Sequence, residues 1–130
     1  AFMIKLLNPE EVEPTLTAGF FQQVTAYEEA DKAQQILDHM DGLGGGLWET
    51  PPNVGDSARA WSEVFKSEGD QSQIIAVTEI GFRVGAYIGS VRAQTVPLLT
   101  VQVKDAREAN QQLAQKLAEA LADKLKTAGN

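Results

Sequence analysis

The chain has 130 residues, 43% of them hydrophobic, a length and composition that form one domain around one core. Its formal net charge is −7 and its lysines and arginines are scattered. This argues against nucleic acid, whose phosphates are met by clustered cations, and against an anionic membrane patch. With zero cysteines, disulfides, thiol catalysis and thiolate metal sites are excluded, and no apolar stretch approaches the ~20 residues that span a bilayer.

Residues 1–18 read as a short strand or tail followed by an acidic connector, NPEEVEP, punctuated by Pro9 and Pro14; residues 19–127 form the domain. The start, AFMIKLLN, lacks the basic leader and small-residue cleavage site of a secretory signal and begins without Met. A processed or trimmed start is expected, with room for a removed signal or lipid anchor. Residues 19–27, GFFQQVTAY, are aromatic and β-branched, which predicts a strand. Thr25 with Glu28 forms the outline of a capping box, and Ala30, Ala33, Leu37 and Met40 recur at helical spacing, so a helix is expected over about 28–41.

The run from Gly42 to Gly46 follows that helix and reads as its cap. A phosphate cradle would need the glycines to follow a strand and open a helix, with a Lys-Ser/Thr pair that is missing. After a loop through Trp48, Pro51 and Pro52, Gly55-Asp56 introduces SARAWSEVFKS. Ala58, Trp61, Val64 and Phe65 fit a helical face, whereas Trp61, Glu63 and Phe65 alternate as on a strand. The strand is preferred because SEGDQSQ reads as a hairpin connection to residue 74.

QIIAVTEIGF and AYIGSVRAQT form a hairpin through Arg83-Val84-Gly85. A two-residue Val84-Gly85 loop sets Phe82 against Tyr87 and Ile80 against Gly89, leaving Glu79 and Arg92 on the other face. Val84 resists the positive φ such a loop requires. A three-residue turn with Gly85 left-handed is the rival, pairing Gly81 with Tyr87 and Val77 with Val91. LLTVQV then reads as a short edge strand, and a long helix begins near Asp105, with Asp105 as N-cap, Glu108 in the first turn and Lys124 and Lys126 near the end. Leu113, Leu117, Leu121 and Leu125 form an apolar stripe along it: core packing first, a homodimer seam second. The whole describes a two-layer α+β domain.

Gly55-Asp56, Phe82-Arg83-Val84-Gly85, the valine-rich return strand and the closing helix ANQQLAQKLAEALADKL resemble the C-terminal part of small extracytoplasmic bacterial lipoprotein domains of Mog1/PsbP-like fold. The resemblance spans roughly residues 19–125 and rests on structural motifs. It implies a sheet packed by helices and a place outside the cytoplasmic membrane, with lipid anchoring through a removed N-terminal segment; it transfers no catalytic residue.

Chemistry-bearing patterns are sparse. His39 has no second histidine at ligand spacing and projects away from the Leu37/Met40 face, so a solvated surface histidine is expected rather than a metal ligand or base. No serine sits in a nucleophile elbow. Trp48, Trp61, Arg83 and Tyr87 are the candidate ligand-binding set, aromatic and cationic groups near the glycine-rich loop and the hairpin turn. Against that stands the plainer reading, in which the aromatics fill the core and the arginine is solvated. The expected molecule is an antiparallel sheet of about four strands packed against two helices, the C-terminal helix long. It acts as a non-catalytic extracytoplasmic binding or assembly module for a protein or small molecule, without cofactor or metal. The competing readings are a small hydrolase-like enzyme built on scattered acids such as Glu79 and Glu63, and a structural dimer through Leu113, Leu117, Leu121 and Leu125.

Overall fold

In a computed structural model of the chain, residues 18–42, 46–66, 74–95 and 103–128 are described. Four aromatic and β-branched runs form strands: β1 (Ala18–Ala26), β2 (Ser57–Lys66), β3 (Ile74–Val84) and β4 (Tyr87–Thr95). Helices α1 (Ala30–Asp38) and α2 (Val103–Ala128) complete the element order β1-α1-β2-β3-β4-α2. The strands make one antiparallel sheet in the order β1-β4-β3-β2. The α+β class, the four strands and the two helices therefore stand as expected, including the strand over 57–66. The acidic connector, the 67–73 hairpin connection and nearly all of LLTVQV lie outside the described residues.

Because strand side chains alternate, the sheet has two faces with different contents. One carries Ala60, Ile80, Phe82, Val84, Val91 and Ala93, and α2 lies on it through Ala114, Leu117, Ala118, Leu121, Ala122 and Leu125, all buried. Each fully buried leucine contributes roughly 1.5–3 kcal/mol by leaving water. The Leu117, Leu121 and Leu125 side chains are 0% exposed within one chain, and Leu113 packs partly against the same cluster. The stripe is thus occupied by the chain's own sheet, which corrects its reading as a dimer seam.

The other face is covered in part by α1, whose Ala33 and Leu37 pack with Ile88, Tyr27 and Met40. The helices therefore sandwich the sheet, three layers where two were expected. β1 and β2 are opposite edges of the sheet, so the chain between them crosses its width, and α1 rides that crossing on the face opposite α2.

Several local expectations change. Thr25 is a strand residue paired with Ile88, so it caps nothing; the N-cap of α1 is Glu29, in extended conformation and without a side-chain cap bond. The helix is shorter than 28–41 because β1 continues to Ala26 and the helical turn ends at His39, whose φ is −104°. Its C-cap is His39, three residues before Gly42, and residues 43–45 of the glycine run lie outside the described residues. Arg59 from β2 closes that end, its Nη1 donating to the carbonyls of Leu37, Asp38 and Met40 at 3.1, 2.9 and 2.7 Å. A cation at the negative end of a helix that has no basic residue in its own last turn is the favourable arrangement. Helix α2 starts at Val103, so Asp105 stands inside the first turn and not at its cap.

Neither anticipated hairpin register occurs. Val84 pairs with Tyr87, Phe82 with Gly89 and Ile80 with Val91, closing a two-residue loop of Gly85 and Ala86. Gly85, at φ +57°, supplies the positive φ, no non-glycine residue has one, and Val84 stays in the strand: the pattern of a II′ turn with glycine first. The slide relative to the anticipated two-residue register is two positions, an even number, so the faces are preserved. Phe82 and Tyr87 do share the face beneath α2.

Candidate functional site

The four residues singled out from sequence do not converge. Trp61 and Arg83 lie on the α1 side of the sheet, Trp48 and Tyr87 on the α2 side. Trp61 is buried, its ring 5.2 Å from the Arg59 guanidinium. Arg83 ties elements of the chain together: Nε donates to Gln34 Oε1 at 2.8 Å, and Nη1 reaches the Gly85 carbonyl at 3.0 Å and Asp56 Oδ2 at 3.4 Å. Asp56 Oδ2 also accepts the Gly85 N–H at 2.8 Å, so Asp56 and Arg83 hold the tip of the hairpin from both sides. Tyr87 packs against the main core.

Trp48 belongs to a short run along the outer edge of β2. Its backbone N–H donates to the Ala60 carbonyl at 2.8 Å, and the Ser62 N–H to the Gly46 carbonyl at 3.0 Å. Its indole Nε1 donates to Ser62 Oγ at 2.8 Å, where Gln111 Nε2 also donates at 3.1 Å and Thr78 Oγ1 lies at 3.1 Å. A hydroxyl accepts at two lone pairs and donates one proton. Both acceptor positions of Ser62 are taken, so its proton goes to Thr78. Ser62, Thr78 and Asn110 are the buried polar residues of the described core, at 5%, 1% and 0% exposure. The Ser62 hydroxyl is fully engaged in this network.

His39 is exposed, its Nδ1 at 2.8 Å from the Gln35 carbonyl of its own helix, which makes Nδ1 the donor. Among the described residues no group of three His, Asp or Glu could hold a metal ion, and no helix is long and apolar enough to cross a membrane.

What the sequence reading missed lies on the part of the sheet that α1 leaves uncovered. One row runs straight across the four strands: Trp61, Glu79, Arg92 and Phe21, each in register with the next. Glu79 Oε2 and Arg92 Nη2 are 3.1 Å apart; the Glu79 side chain is 13% exposed and that of Arg92 43%. Phe21 is 65% exposed, the most exposed large hydrophobic among the described residues. Phe21, Glu79 and Arg92 line an open depression of about 510 Å³ with Gln22, Gln23 and Ser90. Glu63, the other acid of the hydrolase reading, stands on this face as a diagonal neighbour of Glu79, opposite Val77. The Glu79 carboxylate, however, is engaged by Arg92.

The signal for this site was in the strand itself. GFFQQVTA places Phe20, Gln22 and Val24 on one face and Phe21, Gln23 and Thr25 on the other, and the first set is the more apolar. No protein-family model, curated protein or solved structure matches the chain.

Proposed function

We propose that the chain is a non-catalytic binding module that takes an apolar-and-acidic segment of another protein on the open part of its α1-side sheet face. The observation that carries this reading is Phe21: a phenyl ring left 65% exposed in the middle of a regular strand, in register with the half-exposed guanidinium of Arg92. Leaving such a ring in water forgoes apolar burial, and aromatic residues and arginine are the types on which binding energy concentrates. An aliphatic or aromatic side chain fits against the Phe21 ring, and a carboxylate or carbonyl oxygen fits the exposed part of Arg92, which has five N–H donors. The Glu79–Arg92 pairing weighs against the hydrolase alternative built on Glu79 and Glu63. The Mog1/PsbP-like likeness rests on the sequence motifs alone, and an extracytoplasmic location is proposed with it.

The test uses a library of synthetic peptides pairing aliphatic or aromatic residues with Asp or Glu, read by fluorescence anisotropy against the full chain. Phe21→Ser and Arg92→Gln should each weaken the best binders by about tenfold or more. Leu47→Ser, at the opposite edge of the sheet, should leave them unchanged. Binding indifferent to both substitutions would overturn the assignment, as would ester or glycoside turnover lost on Glu63→Gln or Glu79→Gln.

A further inference from the structure

Arg92 does not meet the open depression alone. Its Nη2 donates to Glu79 Oε2 at 3.1 Å, a bond that uses one of the five N–H donors of a guanidinium and leaves others for a ligand. The Glu79 side chain is 13% exposed against 43% for Arg92, so the carboxylate lies deeper and the cation outermost. Both line the depression.

The strand register fixes what surrounds the cation. Glu79 and Arg92 are opposite each other on β3 and β4, and Phe21 is opposite Arg92 on β1. The guanidinium therefore has a carboxylate on one side and an apolar ring on the other. Gln23 and Ser90, themselves a register pair, add only neutral groups. The formal charges lining the depression sum to zero, and Glu63, on the same face and diagonal to Glu79, turns the local sum negative.

We infer that Glu79 sets the specificity of this site: with its field cancelled, Arg92 selects a hydrogen-bond acceptor and not negative charge. The site takes a segment with one carbonyl or one carboxylate beside its apolar residue, and turns away phosphorylated or multiply acidic segments. This rests on the peptide reading and narrows it. A ligand carboxylate on the free edge of the guanidinium lies about 4 Å from the positive charge and about 6 Å from the Glu79 carboxylate. Coulomb energy falls as the inverse of distance, so Glu79 cancels roughly two-thirds of the attraction for any common dielectric. Glu63, at about 10 Å, takes most of the rest, less what salt screens at that range. An acid thus gains little over an amide of the same shape. A phosphoryl group, at about −2, gains nothing from its second charge and gives up more hydration. The formal charge of −7 over the whole chain acts in the same direction.

The test compares three fluorescent peptides that differ at one position: the tightest acidic peptide from the library, its analogue with glutamine or asparagine in place of the acid, and its phosphoserine analogue. Each is titrated by anisotropy against the full chain. In the unsubstituted chain the acid and the amide should bind within about twofold of each other, and the phosphoserine peptide several-fold more weakly. Glu79→Gln keeps a carbonyl oxygen for Arg92 Nη2 and removes the charge. In that variant the acid should be preferred to the amide by about fivefold, the value of one exposed ion pair, and the phosphoserine peptide should overtake the amide. The ratio within one protein is the readout, since a merely structural role for Glu79 would weaken all three peptides alike. An acid-to-amide ratio that Glu79→Gln does not move overturns the inference, and so does phosphoserine as the tightest ligand of the unsubstituted chain. Salt gives a check that needs no variant: raising NaCl from about 20 to about 500 mM should leave acidic-peptide binding unchanged or tighter, and a loss of about fivefold or more overturns the inference as well. The two readings fail separately. Peptide binding that Phe21→Ser and Arg92→Gln do not weaken removes the site and this inference with it; binding that both weaken, at an unmoved ratio, removes only the inference.

Discussion

Ser62 shows how a residue that could be reactive is made structural. Two N–H donors fill its lone pairs and Thr78 takes its proton, at distances of 2.8 to 3.1 Å. Ser62→Ala should leave the Trp48 indole and the Gln111 amide short of an acceptor and cost about 1–3 kcal/mol, measured by urea unfolding. The loss should come without any change at Phe21 or Arg92. Gly89 makes a second case. It lies opposite Phe82, and a Cβ built on it would come within 2.4 Å of the Phe82 ring, which is fully buried and has nowhere to move. Gly89→Ala should therefore destabilise by about 1–3 kcal/mol as an overpacked core, and a neutral result in the same unfolding measurement would contradict the placement of Phe82. Arg83 was read from sequence as a candidate ligand group beside a turn. Its real partners, Gln34 and Asp56, are 49 and 27 residues away along the chain, and no local pattern announces a contact of that separation.

Among the elements, legibility followed the origin of each signal. The hairpin and the terminal helix were legible because their evidence is local, four-residue leucine spacing in α2 for the second, whereas the periodicity of 57–66 fitted helix and strand alike and the strand was chosen from the hairpin connection read in SEGDQSQ. The hairpin register was not legible, because one glycine can serve several loop lengths. Its faces survived since the slip was even, which is why Phe82 and Tyr87 were assigned to the right side from the wrong pairing. The end of α1 was misread for a different reason. A glycine run beside a helix is a local cap signal, whereas the group that satisfies the last carbonyls is Arg59, from a strand across the sheet. Arg59→Met should remove those bonds while keeping the aliphatic stem over Trp61, and the amides of α1 should then exchange at least several-fold faster than those of α2. Equal protection in both helices would show that α1 does not depend on that cap. The open face around Phe21 was only faintly legible: two adjacent phenylalanines in a strand must face opposite ways, and the sole local hint of which is left in water is that Phe20, Gln22 and Val24 are slightly more apolar than Phe21, Gln23 and Thr25.

At the scale of the whole molecule, the sheet is enclosed on one face by a long helix and on the other by a short one, and the difference in helix length leaves the Trp61-Glu79-Arg92-Phe21 row partly open. The leucine stripe of α2 belongs to folding: Leu121→Ala should cost about 2–5 kcal/mol without altering the sedimentation behaviour of the chain that remains folded. A change in oligomeric mass at unchanged stability would return the stripe to the surface. The proposed binding surface is on the opposite face, and the test that reaches it most directly is a ¹H–¹⁵N NMR titration of the full chain with the tightest peptide from the aliphatic-acidic library. The account predicts shift changes concentrated at Phe21, Gln23, Ser90 and Arg92, with the residues of α2 unmoved. Shifts gathered instead around Pro51–Ala58 or along α2, with the Phe21 and Arg92 signals stationary, would contradict it.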